Sequence, residues 1–179
     1  MNIPIWMDRG AYICCGSRVD VGDTVTWMVH ANSDRAPSLT HASAGIQVLN
    51  HDITEIIGPC WVPPSVTHQH FFVIDAGVFH VGVMIASGTS SPGSTVAWRG
   101  RLWYWDHAEM EIPPLVGQVR AMYWHPTTIV KEWTYSRAPG KKPGRHRIID
   151  FEETGIPIAS TEDPTAITTG GAFSFVIEV

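Results

Sequence analysis

Apolar and polar positions alternate with a period of two along much of this chain, and no segment sustains the 3.6-residue period of a helix. The clearest case is Val19-Asp20-Val21-Gly22-Asp23-Thr24-Val25-Thr26-Trp27. Val21, Val25 and Trp27 fall on one face, Thr24 and Thr26 on the other, and Gly22-Asp23 supplies a turn or bulge at the start. This strand is expected to run from about 19 to 30. Before it, residues 3–7 read as a short edge strand, kept at an edge by Pro4. Residues 31–45 are loop-like, 46–57 read as a strand pair, and 58–64 as a rigid, proline-bounded connector. Residues 67–74 and 78–85 form a hairpin around Asp75-Ala76-Gly77, apolar on both faces and therefore expected near the middle of a sheet. Further strands follow at 95–105, at 115–124 with Gly117 inside it, at 129–135 and at 145–151. Residues 152–171 are irregular, and the apolar terminal strand 172–179 is expected to pair, with the capacity to augment another sheet. The pattern predicts an all-β chain, a small β-barrel or sandwich with long loops and little or no helix, in one domain over 1–179.

Composition sharpens this in two ways. Charged residues make up 16% of the chain, against roughly 25% for an average soluble domain, and there are eight tryptophans. Tryptophan buries a large area but carries an N–H that needs a partner, so the excess belongs either in a core or on a surface that another chain covers. The net charge of -5 argues against nucleic acid as a partner. Within it, Arg137, Lys141, Lys142, Arg145 and Arg147 place five of the 12 basic residues in one short stretch. Cys14, Cys15 and Cys60 are odd in number, and adjacent cysteines rarely bridge each other, so no disulfide framework is implied. The N-terminal residues lack the pattern of a secretory signal. The longest apolar run, 71–86, is interrupted by Asp75 and His80 and is too short to span a bilayer. No membrane insertion is expected; the cytoplasm, or a virion-type assembly, is the expected location.

Cys14-Cys15-Gly16 followed by Val21-Gly22-Asp23-x-Val25-x-Trp27, with His68-Gln69-His70 and Val116-Gly117-Gln118-Val119 later, resembles a family of small, uncharacterised actinobacterial proteins. The resemblance implies a bacterial or phage-type cytosolic β-protein and carries no activity with it.

Three constellations could carry chemistry. His68 and His70 are two apart on a strand and share a face. A three-residue loop at 75–77 would pair Phe72 with His80 and bring His80 to that face; a two-residue loop would pair Phe71 with His80 and remove it. Three neutral imidazoles can hold zinc or iron, and Cys14 or Cys15 could complete such a site, although the pair lacks the two-residue gap of a zinc knuckle. On the strand 95–105, Arg99, Arg101, Trp103 and Trp105 share one face and can stack cations on indoles. Lys141 and Lys142 stand between two Pro-Gly corners. These features lead to two expectations. The first is a non-enzymatic β-protein that works by protein contact, with itself or an assembly partner and with no cofactor, through Trp103, Trp105, Arg99, Arg101, Lys141 and Lys142. The second is a zinc- or iron-binding enzyme or sensor that uses His68, His70, His80, Cys14 and Cys15.

Overall fold

Period-two patterning becomes strand almost everywhere it occurs. The computed structural model describes residues 1–33, 37–63, 71–85, 92–105, 112–135, 144–167 and 170–179. In chain order the elements are β1 (Asn2–Asp8), α1 (Arg9–Cys15), β2 (Thr24–Trp27), β3 (Val29–Ser33), β4 (Ser38–Leu39), β5 (Gly45–Val48), β6 (Thr54–Trp61) and β7 (Phe71–Asp75). Then come β8 (His80–Ile85), β9 (Thr95–Gly100), β10 (Leu102–Tyr104), β11 (Leu115–Tyr135), β12 (Gly144–Phe151), β13 (Ile156–Ile158), α2 (Pro164–Ile167) and β14 (Gly171–Glu178). The strands make one large mixed sheet in the order β12-β11-β14-β1-β10-β3-β8-β7-β6-β9-β4, with β2 and β13 also on β11 and β5 also on β6. The fold is all-β with little helix, and the sheet is not closed.

The two chain ends lie in the middle of this sheet. β1 sits between β14 and β10, and β14 between β1 and β11. Both edge expectations are therefore corrected: Pro4 is not on an edge strand, and the terminal strand has no open side with which to augment another sheet. The ladder explains why Pro4 is tolerated. Met1 and Val179 exchange two backbone bonds. Antiparallel pairs alternate between bonded and non-bonded, so Pro4 opposite Val176 is a non-bonded pair and its missing N–H costs that ladder nothing. On its other side, pairing with β10 starts only at Ile5.

Two continuous patterns prove to be two strands each. The segment 19–30 breaks at Met28, where the chain leaves β11 (through β2) for β10 and β8 (through β3). The segment 95–105 breaks at Arg101, between pairing with β6 and pairing with β1 and β3. The opposite occurs at His125-Pro126, which β11 crosses without interruption. The expected connector at 58–64 is instead strand through Trp61. There Gly58 is required, because a Cβ would run into the Asp75 carbonyl oxygen of β7. α1 is too short to register as a helical period; Asp8 caps it by accepting from the Ala11 amide at 2.9 Å.

The main core joins residues from distant parts of the strand order, including Ile3 and Ile5 of β1, Ile56 of β6, Val83 of β8, Trp98 of β9 and Phe175 of β14. The central strands are also buried on their other face: β1 hides Pro4 and Trp6 as completely as Ile3, Ile5 and Met7.

Candidate functional site

That second face carries a polar cluster. Trp6 and Ser174 are opposed in a non-bonded pair, the closer of the two antiparallel spacings, and Tyr123 of β11 lies opposite Ser174 on its other side. Two residues on, His125 points to the same face and is 2% exposed. Its Nδ1 lies 2.7 Å from the Glu152 carbonyl oxygen, and its Nε2 lies 2.8 Å from Ser174 Oγ. A carbonyl only accepts, so Nδ1 carries the proton and Nε2 is the acceptor. The Ser174 hydroxyl then donates to Nε2. Burial pushes the His125 pKa down, which favours the neutral ring.

Aromatic rings and one cation hold this arrangement. Trp6 packs on His125 at 4.3 Å between centroids, on Trp103 at 5.9 Å and on Phe151 at 6.0 Å. The Arg101 guanidinium lies 4.5 Å above the Trp6 ring and donates to Asp52 Oδ2 through Nε at 3.0 Å and Nη2 at 2.9 Å. Its Nη1 reaches Asp150 at 3.5 Å. Arg101 thereby ties the β5–β6 turn and the end of β12 to the sheet. Beside the cluster opens a cleft of about 580 Å³. Pro4, Tyr123, His125, Ser174 and Val176 line it from the sheet, Val48, Asn50 and His51 from the β5–β6 hairpin, and Glu153, Thr154 and Gly155 from the turn after β12. Gly155 is held close to the imidazole: a Cβ there would stand 2.7 Å from His125 Cε1.

A second feature lies at the far end of β11. Beyond Pro126, β11 has left β14, and residues 127–135 pair with β12 alone among the described residues. Every residue from Lys131 to Tyr135 is exposed. Alternation puts Lys131, Trp133 and Tyr135 on one face, with Lys131 Nζ 5.9 Å from the Trp133 ring. Trp133 is 42% exposed and Tyr135 39%.

Residues 1–155 match a family described as a family of unknown function, DUF6578. The chain belongs to the DUF6578 family. No curated protein and no solved structure matches it. The family match ends before β13, α2 and β14, so Ser174 lies beyond the matched residues while His125 lies within them.

The residues singled out from the DUF6578 sequence scatter. Cys14 is exposed on α1; Cys15 follows it, with its side chain outside the described residues. His80 opens β8 opposite Asp75, with Trp61 edge-on at 6.3 Å. The hairpin pairs Ile74 with Val81 and Val73 with Gly82, so its loop is longer than either length considered and His80 joins the face of Phe71, Val73 and Asp75. His68, His70, Lys141 and Lys142 lie outside the described residues. Among the described residues no three His, Cys, Asp or Glu side chains gather to hold a metal ion, and no helix is long and apolar enough to cross a membrane. Arg99 is exposed opposite Glu55. Arg101 does stack on an indole, but on Trp6 rather than on its strand neighbours. Trp103 and Trp105 are half-buried, Trp103 against Trp6 and Phe151, Trp105 against Phe71 and His30. His125 and Ser174 were not among the candidates. One signal was available: Ser174 is the sole polar residue in the run from Ala172 to Ile177.

Proposed function

We propose that this DUF6578 protein is a protein-contact subunit that associates with a second copy of itself through the arm formed by 127–135 of β11 and β12. The observation that carries this reading is the uninterrupted exposure from Lys131 to Tyr135 on both faces of a two-stranded ribbon. An isolated two-stranded ribbon is only marginally stable in water, and Trp and Tyr are the side chains that most often anchor interfaces. Charge favours a second copy. Residues 131–147 contain six Lys or Arg and one Glu, a net charge of +5; the whole chain carries -5, so the remainder carries -10. A basic segment in an otherwise acidic chain is complementary to another copy of the same chain.

Sedimentation velocity at low and high salt tests the proposal. The wild-type chain is expected to dimerise or assemble further, less so at high salt because the contact is charge-assisted. Trp133→Ala/Tyr135→Ala is expected to be monomeric with unchanged circular dichroism. A wild-type chain that stays monomeric at low salt sinks the reading, as does a double variant that associates as well as wild type.

A further inference from the structure

The arm leaves the cleft unexplained, and the cleft holds a hydroxyl and an imidazole arranged for proton transfer. We propose that Ser174 and His125 form a nucleophile and general base that hydrolyse small, uncharged carboxylic esters bound in this cleft. The assignment stands on three observations that are independent of the arm.

The first is proton placement. The Glu152 carbonyl fixes the imidazole with Nδ1–H toward the backbone and the Nε2 lone pair toward Ser174 Oγ, 2.8 Å away. A serine that is activated by an adjacent base, with the base oriented by a third group, is the arrangement nucleophilic catalysis requires. Here the orienting group is a backbone carbonyl, which cannot take a proton and so serves only to hold the ring. The second is rigidity. Trp6 stacks on the imidazole, Gly155 closes over it, and both catalytic side chains stand on central strands rather than on loops; such support keeps a reacting geometry within tolerance. The third is the cleft. Its volume, about 580 Å³, lies in the range of small-molecule sites. Among its lining residues Glu153 is the only carboxylate, and no Lys or Arg is present, so the lining offers no permanent cation to hold an anion. Pro4, Val48 and Val176 provide apolar surface for an acyl chain. The Ser174 amide belongs to the sheet ladder, so an oxyanion must be met by the cleft wall. Asn50 lines that wall with its Oδ1 already accepting from the Asp52 and Ile53 amides at 3.0 and 2.7 Å. Its Nδ2 amide group makes no hydrogen bond among the described residues and is the donor we assign to the oxyanion.

In the reaction Ser174 Oγ bonds to the ester carbonyl carbon as its proton passes to His125 Nε2, and the carbonyl π pair moves onto oxygen. Collapse expels the alcohol oxygen, which takes the proton from Nε2 and leaves acyl-Ser174. Water then attacks the acyl carbon and gives its proton to Nε2. Oγ leaves, recovers that proton, and the carboxylic acid is released. The sum is ester plus water to acid plus alcohol.

The test uses the full chain with a fluorophosphonate probe, read by intact and peptide mass, alongside p-nitrophenyl acetate turnover. One adduct per chain on Ser174 is expected, absent from Ser174→Ala and formed roughly 10²–10⁴-fold more slowly in His125→Gln, the span that a lost general base commands. Asn50→Ala is expected to lower turnover while the protein keeps its circular dichroism and Tm. Should Ser174→Ala fail to fold, Ser174→Cys keeps the shape of the side chain with a weakly donating thiol in place of the hydroxyl and must likewise lose the phosphonyl adduct. A folded wild-type chain that takes no label, or a variant at 174 that labels as wild type does, overturns the proposal and leaves the pair as an internal hydrogen bond.

Discussion

Arg101 offers the most direct test of how the second face is held. Replacing it by Met keeps the length and apolar bulk of the side chain and removes the charge. The Asp52 side chain, 10% exposed, then loses its guanidinium and keeps only the exposed His51 ring at 4.0 Å. Removing one partner of a buried ion pair costs about 3–5 kcal/mol, and the small remaining exposure of Asp52 places it at the low end, about 3 kcal/mol. Losing the guanidinium above Trp6 adds about 1 kcal/mol. Asp150 is 58% exposed and contributes little, as exposed pairs do. The total, about 4 kcal/mol, corresponds to a fall in Tm of about 10 °C for a chain of this size. Urea unfolding followed by tryptophan emission measures it. Asp52→Asn and the double variant complete a cycle, in which the double variant is expected to cost less than the sum of the singles because the orphaned charge is gone. An Arg101→Met cost below about 1 kcal/mol, or an additive cycle, would refute the claim that this pair anchors the turn and the end of β12 to the sheet.

Two further outcomes follow from the same face. Burial lowers the His125 pKa in the folded chain, with Arg101 and His51 acting in the same direction and the Glu152 carbonyl and Asp52 opposing. The unfolded chain therefore binds the proton first as pH falls, so the stabilisation is complete above the ordinary histidine value. It is lost as pH drops from there to the folded value, with a slope of at most about 1.4 kcal/mol per pH unit. Chemical denaturation across that window should show the slope in wild type and a shallower one in His125→Gln; equal slopes would assign the dependence to other groups. Separately, Gly58→Ala places a methyl against the backbone carbonyl of Asp75, which cannot swing aside. A loss of about 2–3 kcal/mol, the upper end for overpacking, is expected in urea unfolding, and a neutral result would mean that β6 and β7 can move apart there.

Within strands, the sequence reads well because alternation is local. The hairpin of β7 and β8, the strand β12 and the apolar final strand are all legible from a few residues of pattern. What alternation does not encode is the neighbour. Nothing in Asn2–Asp8 says that β1 is central, since a strand buried on both faces looks like any short apolar run and Pro4 suggests the reverse. Met28 and Arg101 carry no turn signal, yet the sheet changes partner at each. The candidate site suffers most from this. His68 and His70 stand out because they are neighbours in sequence, whereas His125, Ser174 and Glu152 meet only because β11 runs on past a His-Pro step and β14 returns from the other end of the chain.

The tryptophan excess shows how far composition reaches. It posed a choice between a core and a covered surface, and the fold itself takes up most of the tryptophans. Trp6, Trp27, Trp98 and Trp124 are buried, and Trp61, Trp103 and Trp105 are half-buried. These seven follow from the demand of a sheet packed on both faces: flat, wide side chains fill the space over strands where smaller residues would leave voids. Gly82 shows the fit, since a Cβ there would stand 2.7 Å from the Trp105 ring. Trp133 is the exception. It lies where the sheet has narrowed to two strands, and packing within the chain leaves it 42% exposed. Trp133, next to Lys131 and within a basic segment of an acidic chain, is the tryptophan on which the proposed contact with a second copy rests.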